Sequence, residues 1–128
     1  MALALRKTGG RLATIEIHEG RFAAARDTFA RLGLRDVAEV RLADAVDEVR
    51  RVEGPWDLVF LDALKTDYLH YYEQMLPKLR AGGAIAAHNV STRSADMAGF
   101  LDKIKTDPRV RTQFFSGSPQ GISVSFKR

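Results

Sequence analysis

The chain has no cysteine, which excludes disulfides and thiolate-held metals and suits a reducing, cytoplasmic setting. It has no apolar run long enough to span a bilayer, and residues 1–7 are too short for a signal peptide, so no membrane partner is expected. It has no tract of about five or six like charges. Its 20 Lys and Arg are interleaved with 16 Asp and Glu. The net charge of +4 and the pI of about 9.7 are therefore the sole support for a nucleic-acid partner, which is not expected. Internal repeats and low-complexity segments are missing too. What is there is 128 residues, 45% hydrophobic and 28% charged. That is the balance of one folded globular domain rather than a disordered segment.

The stretch 56–65, Trp-Asp-Leu-Val-Phe-Leu-Asp-Ala-Leu-Lys, organises the chain. Residues 58–61 are strand formers without polar alternation, the pattern of a strand buried on both faces of a parallel sheet. Asp62 stands at its carboxyl end, where open α/β sheets bind ligands, and Lys65 follows three residues later. The plainer alternative is that Asp62 caps the next helix and Lys65 is a solvated cation.

The rest of the chain alternates helix and strand. Residues 2–6 are the tail of a helix stopped by Gly9 and Gly10, and 11–17 form a strand closing on Glu16 and His18. Residues 19–32 read as a helix with Phe22, Ala25, Phe29 and Leu32 on one stripe, stopped by Gly33. A second strand spans 37–42, and Asp44 is an N-cap for a short helix carrying Ala45, Val49 and Val52. Residues 68–79 are helical by pattern, with Pro77 shortening the last turn and Tyr68, Tyr71 and Tyr72 facing the core. Tyr68, nearest the strand end, is the one most suited to a ligand instead. A turn at 80–83 leads to a short strand, 84–87, ending on His88 and Asn89. Ser94 can cap a helix holding Met97, Phe100, Leu101 and Ile104, broken at Asp107-Pro108. Residues 110–115 and 122–126 form a hairpin around 117–121. In its last strand Ile122, Val124 and Phe126 alternate with Ser123 and Ser125, so the serine face is expected to be wet.

This order predicts an α/β fold: a mostly parallel, Rossmann-like sheet with a C-terminal antiparallel hairpin. Glu16, Asp62 and the pair His88 and Asn89 then end three strands on one rim, and Asp44 follows a fourth. A carboxylate such as Glu16 can accept from both hydroxyls of a ribose; its alternative is an acid favoured by the dipole of the next helix. Asp62 and Asn89 offer hard oxygens to a magnesium-like ion, and His88 tilts that set toward a transition metal. His88 is equally readable as structural. Lys65 can remove a proton if its surroundings favour the free amine.

The strings at 9–17, 57–65 and 79–90, in this order of elements, resemble the S-adenosylmethionine-dependent O-methyltransferases. The resemblance is to the class I fold and to its cation-dependent branch of catechol and caffeoyl-CoA O-methyltransferases. It implies that Glu16 binds the cofactor ribose, that Asp44 and Ala45 lie beside the adenine, and that Asp62 borders the cofactor as well. It also implies that Asp62, Asn89 and residue 88 hold a divalent cation. Lys65 would deprotonate a hydroxyl of a small, catechol-like acceptor. The chain departs from the family pattern at His88, where an Asp is usual, at Leu64, where a second acid is common, and at His18, where Asp or Asn is usual. It also has no counterpart of the family's first strand and Gly-rich turn, so residues 1–128 are read as part of such a domain. That strand is central in the family, and its absence leaves a gap of about 9–10 Å between its neighbours. The flanking strands can close up, a second copy can supply pairing, or the sequence belongs to a longer product. Self-association, as a homodimer or larger, is the expectation. The alternative function is a folded, dimerising relative without turnover.

Overall fold

The computed structural model describes residues 1–91, 95–117 and 119–128. The expected cap Ser94 and the turn residue Ser118 lie outside the described residues. Among the described residues five helix–strand pairs are followed by one more strand: α1 (Ala2–Thr8), β1 (Leu12–Glu16), α2 (Glu19–Arg31), β2 (Ala38–Leu42), α3 (Ala45–Arg51), β3 (Trp56–Leu61), a 3₁₀ turn (Lys65–Asp67), α4 (Tyr68–Met75), β4 (Leu79–His88), α5 (Ala95–Thr106), β5 (Val110–Phe115) and β6 (Ile122–Lys127). They fall into two compact units, Met1–Glu48 and Val49–Arg128. No helix among the described residues is long and apolar enough to cross a membrane.

In the first unit β1 and β2 pair in parallel, from Leu12 opposite Ala38 to Glu16 opposite Leu42. α1 stops where expected, at Gly9 in the left-handed region (φ 73°), with the Gly10 N–H donating back to the Leu5 carbonyl. α2 ends the same way. Gly33 has φ 62° and the Leu34 N–H donates to the Phe29 carbonyl at 2.7 Å, a helix-ending bond that five-residue spacing permits only with a left-handed residue between. This turn drives Leu34 into the core beside Ala2, Val37 and Ala38, with Leu5, Leu12 and Phe29 packed around them. Of the expected stripe of α2, Phe22, Ala25 and Phe29 are half-buried, and the expectation is corrected at Leu32. Leu32 is 52% exposed and no residue of α2 is fully buried, because a two-stranded sheet covers little of a helix and Leu34 takes the inward place.

The second unit holds one mixed sheet in the order β3-β4-β6-β5. β3 and β4 are parallel, β4 and β6 antiparallel, and β5 and β6 form the expected hairpin. The expected turn at 80–83 is absorbed into β4 as an irregularity: Trp56 lies opposite Leu79, but Leu58 lies opposite Ala84. Gly83 allows it, since a Cβ there would meet the Trp56 and Asp57 carbonyls at 3.1 and 3.2 Å. α4 stops at Met75, ahead of Pro77, and Leu79 opens β4 instead of closing the helix.

Two burial expectations are reversed. β3 was expected to be covered on both faces, yet Leu58 and Phe60 are 48% and 46% exposed, and Leu61 alone of that strand is buried. β3 is an edge strand, and Leu58 and Phe60 share its uncovered face. The face of β6 expected to be wet is the buried one. Ser123 and Ser125 are 0% and 1% exposed, whereas Phe126 is exposed. The helices account for this. The Thr112 hydroxyl donates to the Ile104 carbonyl of α5 at 2.6 Å and pairs with the Ser125 hydroxyl at 2.9 Å, so α5 lies on the serine side. That side is filled by Met97, Phe100, Ile104, Tyr68 and Tyr72. Phe100 meets the rings of Tyr68 and Tyr72 edge-on at 5.5 and 6.1 Å. Side chains of that size leave room only for small residues across from them.

Candidate functional site

The parallel register of β3 and β4 sets Leu61 opposite Ala87, so the residues just beyond these strands come out side by side. Asp62 follows Leu61, and the Nδ1 of His88 stands 3.4 Å from its Oδ1. The 3₁₀ turn then folds Lys65 back toward the strand end. Its Nζ donates to Asp62 Oδ1 at 3.5 Å, to the Ala63 carbonyl at 3.1 Å and to the Tyr68 hydroxyl at 2.9 Å. Three acceptors thus face the three hydrogens of the ammonium. Nζ also lies 4.8 Å from the centre of the Tyr68 ring. Lys65 is not a freely solvated cation, and Asp62 does not cap α4, whose N-terminal flanking residue is Asp67.

Tyr68 is fully buried and its hydroxyl faces the carbonyls of Leu61 and His88 at 3.0 and 3.2 Å. Burial raises the pKa of this phenol, and the Lys65 ammonium only partly offsets it. The hydroxyl therefore keeps its proton and gives it to the carbonyls, so toward Lys65 it acts as acceptor. Asn89 closes β4 in the left-handed region, with φ 61°, a conformation Asn tolerates better than most residues. Its turn is held against the β5–β6 loop: the Ser91 N–H donates to the Gln120 carbonyl at 2.9 Å and the Ser91 hydroxyl to Pro119 at 2.6 Å.

Asp62, Lys65 and His88 are thus brought together, with Asn89 next in the chain. A carboxylate, an imidazole and an amide make a donor set that fits a divalent ion with open positions, since 3.4 Å is a separation two donors on one ion can have. Among the described residues no group of three or more His, Cys, Asp or Glu gathers as a metal site. The oxygen of Asn89 would have to complete the set.

Glu16, Asp44 and Ala45 belong to the first unit. β1 pairs with β2, and β3 with β4, in separate sheets, so Glu16 ends a strand of the first unit and Asp62 follows one of the second. Glu16, at the end of β1, accepts from the His18 N–H at 2.7 Å and pairs with Arg21 at 3.4 Å. His18 itself flanks α2, its Nδ1 accepting from the Gly20 N–H at 3.2 Å. An imidazole thus does the capping that an Asp or Asn does more often. Asp44 accepts from the Val46 N–H at 2.8 Å, the N-cap read from sequence, and Ala45 opens α3. The role of Arg21 was not visible in advance; its only signal is a cation five residues past an acid at a strand end.

The family model of methyltransferase domains matches residues 1–90 of the chain. The chain is 35% identical over 115 residues to a catechol O-methyltransferase of Niastella koreensis, covering 87% of this chain and 50% of that one. It spans half the length of that curated relative. Among solved structures, an O-methyltransferase of Bacillus cereus in complex with SAH is 27% identical, with a TM-score of 0.82 over 94% of this chain and 64% of that one. An SAH-bound methyltransferase of Podospora anserina, at 22% identity, shares the fold with a TM-score of 0.86 over 96% of this chain and 63% of that one.

Proposed function

The chain belongs to the methyltransferase-domain family, among its O-methyltransferases, and from that premise we propose that residues 1–128 form part of one cytoplasmic S-adenosylmethionine-dependent domain that methylates a hydroxyl of a small, catechol-like acceptor. One observation carries the reading: Lys65 Nζ and His88 Nδ1 both stand beside Asp62 Oδ1 at the ends of β3 and β4, at 3.5 and 3.4 Å.

Lys65, as the free amine, takes the proton of the acceptor hydroxyl. S-adenosylmethionine, when bound, would supply its sulfonium methyl to that oxygen, the new C–O bond replacing the S–CH₃ bond and the thioether being released. Of the three contacts of Nζ, the one to Asp62 is the longest, and an acceptor hydroxyl replaces it at least cost. Asp62, His88 and Asn89 would hold a divalent cation, magnesium or a transition metal, which supplies charge to stabilise the deprotonated oxygen. Glu16 would accept from the cofactor ribose, exchanging Arg21 for it, and Asp44 and Ala45 would border the adenine, with Asp62 closing the cofactor side.

Calorimetric titration with S-adenosylmethionine, with and without Mg²⁺ or Mn²⁺, tests this. Cofactor heat that grows with the cation is expected; no heat in any combination favours a folded relative without turnover.

Open strand edges support self-association as a homodimer or larger. β3 and both strands of the first sheet each lack a hydrogen-bonded neighbour on one side among the described residues. Light scattering at micromolar concentration should give at least twice the 14.2 kDa of one chain, and a sharp monomer peak refutes it.

A further inference from the structure

We propose that Tyr68 is the positioning residue of this site: its one buried hydroxyl, accepting from Lys65 and shared between the carbonyls of Leu61 and His88, sets the spacing of Lys65, Asp62 and Asn89. The inference rests on the methyl-transfer reading for its kinetic arm alone.

The chain geometry makes the point. Leu61 and His88 are the last residues of β3 and β4. The next residues are Asp62 and Asn89. The hydroxyl reaches both carbonyls, at 3.0 and 3.2 Å, and so ties the two exits together one residue before each donor. The same oxygen accepts from Lys65 at 2.9 Å, the shortest of that ammonium's three contacts. A phenol that keeps its proton can serve Lys65 in both states of the amine, because either state has an N–H to give. The ring is locked from behind by its edge contact with Phe100 and by complete burial. Tyr68, fully buried, thereby holds Lys65 in place from the core side. Partners of this second tier typically cost 10–100-fold in activity or metal affinity when removed.

Tyr68→Phe in the full chain deletes only the hydroxyl. The readouts are the ¹H–¹⁵N signal of the Lys65 ammonium, visible only when hydrogen bonds slow its proton exchange, and initial rates with catechol and Mn²⁺. The signal is assigned by its loss in Lys65→Met. Wild type is expected to show it and Tyr68→Phe to lose it, with kcat down about 10–100-fold and KM for S-adenosylmethionine unchanged. Tyr72→Phe removes another buried hydroxyl of α4, one bonded to Asp107, and is expected to keep both signal and kcat. A folded Tyr68→Phe that retains the signal overturns the proposal, and so does a Tyr72→Phe that loses it equally. Should wild type show no turnover, the methyl-transfer reading fails and the ammonium signal alone decides. Should Tyr68→Phe fail to fold, the wild-type spectrum decides: a visible Lys65 signal supports the proposal and an invisible one overturns it.

Discussion

Lys65→Ala is expected to bind S-adenosylmethionine as wild type does and to lose methyl transfer by about 10²–10⁴-fold, the usual worth of a positioned general base. The amine is held by Tyr68, Ala63 and Asp62, so little disorder separates it from a working geometry. Alanine removes the proton acceptor and leaves that task to water. The proposed cofactor contacts Glu16, Asp44 and Ala45 belong to the first unit and Lys65 to the second. Single-turnover rates, with calorimetry for the cofactor, separate the two effects. Lys65→Arg is expected to fail as well, because a guanidinium does not give up its proton. Turnover equal to wild type in Lys65→Ala would remove Lys65 from the mechanism.

The second large effect is on stability. Asp107 ends α5 with its side chain 2% exposed. Its carboxylate accepts from Arg109 Nε at 2.9 Å, from the Arg109 guanidinium again at 2.6 Å, from the Arg109 N–H at 3.0 Å and from the Tyr72 hydroxyl at 3.2 Å. Asp107→Ala strands the Tyr72 hydroxyl in the core, while the exposed Arg109 regains water, and is expected to cost about 1–3 kcal/mol, the penalty of a buried polar group left unsatisfied. That is a large share of the roughly 5–15 kcal/mol that holds a small domain together. Urea unfolding at about pH 7 measures it, and a loss under about 1 kcal/mol would show that the site relaxes. The same group gives a pH dependence. The hydrogen bonds from Arg109 hold the Asp107 carboxyl well below its ordinary value of 3.8. A carboxyl depressed in the folded state stabilises above its unfolded pKa, and that stability drains away as pH falls below it. Wild type therefore loses this contribution below pH 3.8, while Asp107→Asn, already weaker at neutral pH, lacks that part of the slope. Burial and the neighbouring carboxylate push the Tyr72 phenol up, so it stays a donor throughout this range.

Element boundaries set by local chemistry were legible from the chain itself. Gly9 and Gly33 stop helices, Asp44 caps one, Pro77 ends one and the β5–β6 hairpin forms around its turn residues. The sequence placed Lys65 three residues after Asp62, and the structure pairs them at 3.5 Å across the turn. Tyr68 could be singled out by its place after the strand end, but not the three partners of its hydroxyl, two of which are backbone carbonyls on different strands.

Outside 76–83, the sequence by itself determined where the chain turns and which segments are helix and strand, and it showed which acid, amine, imidazole and amide follow or end the strands, because those depend on neighbours a few residues away. Only the tertiary structure decided which side of each element is covered. The alternation of Ser123 and Ser125 with Val124 and Phe126 carries a period but no direction. α5, arriving from earlier in the chain with Phe100 and Ile104, chose the serine side. The same holds for β3: its apolar run promised two covers, and Leu58 and Phe60 share a face that is left half-exposed. Burial is set by what packs from far along the chain, and a local pattern cannot say what that will be.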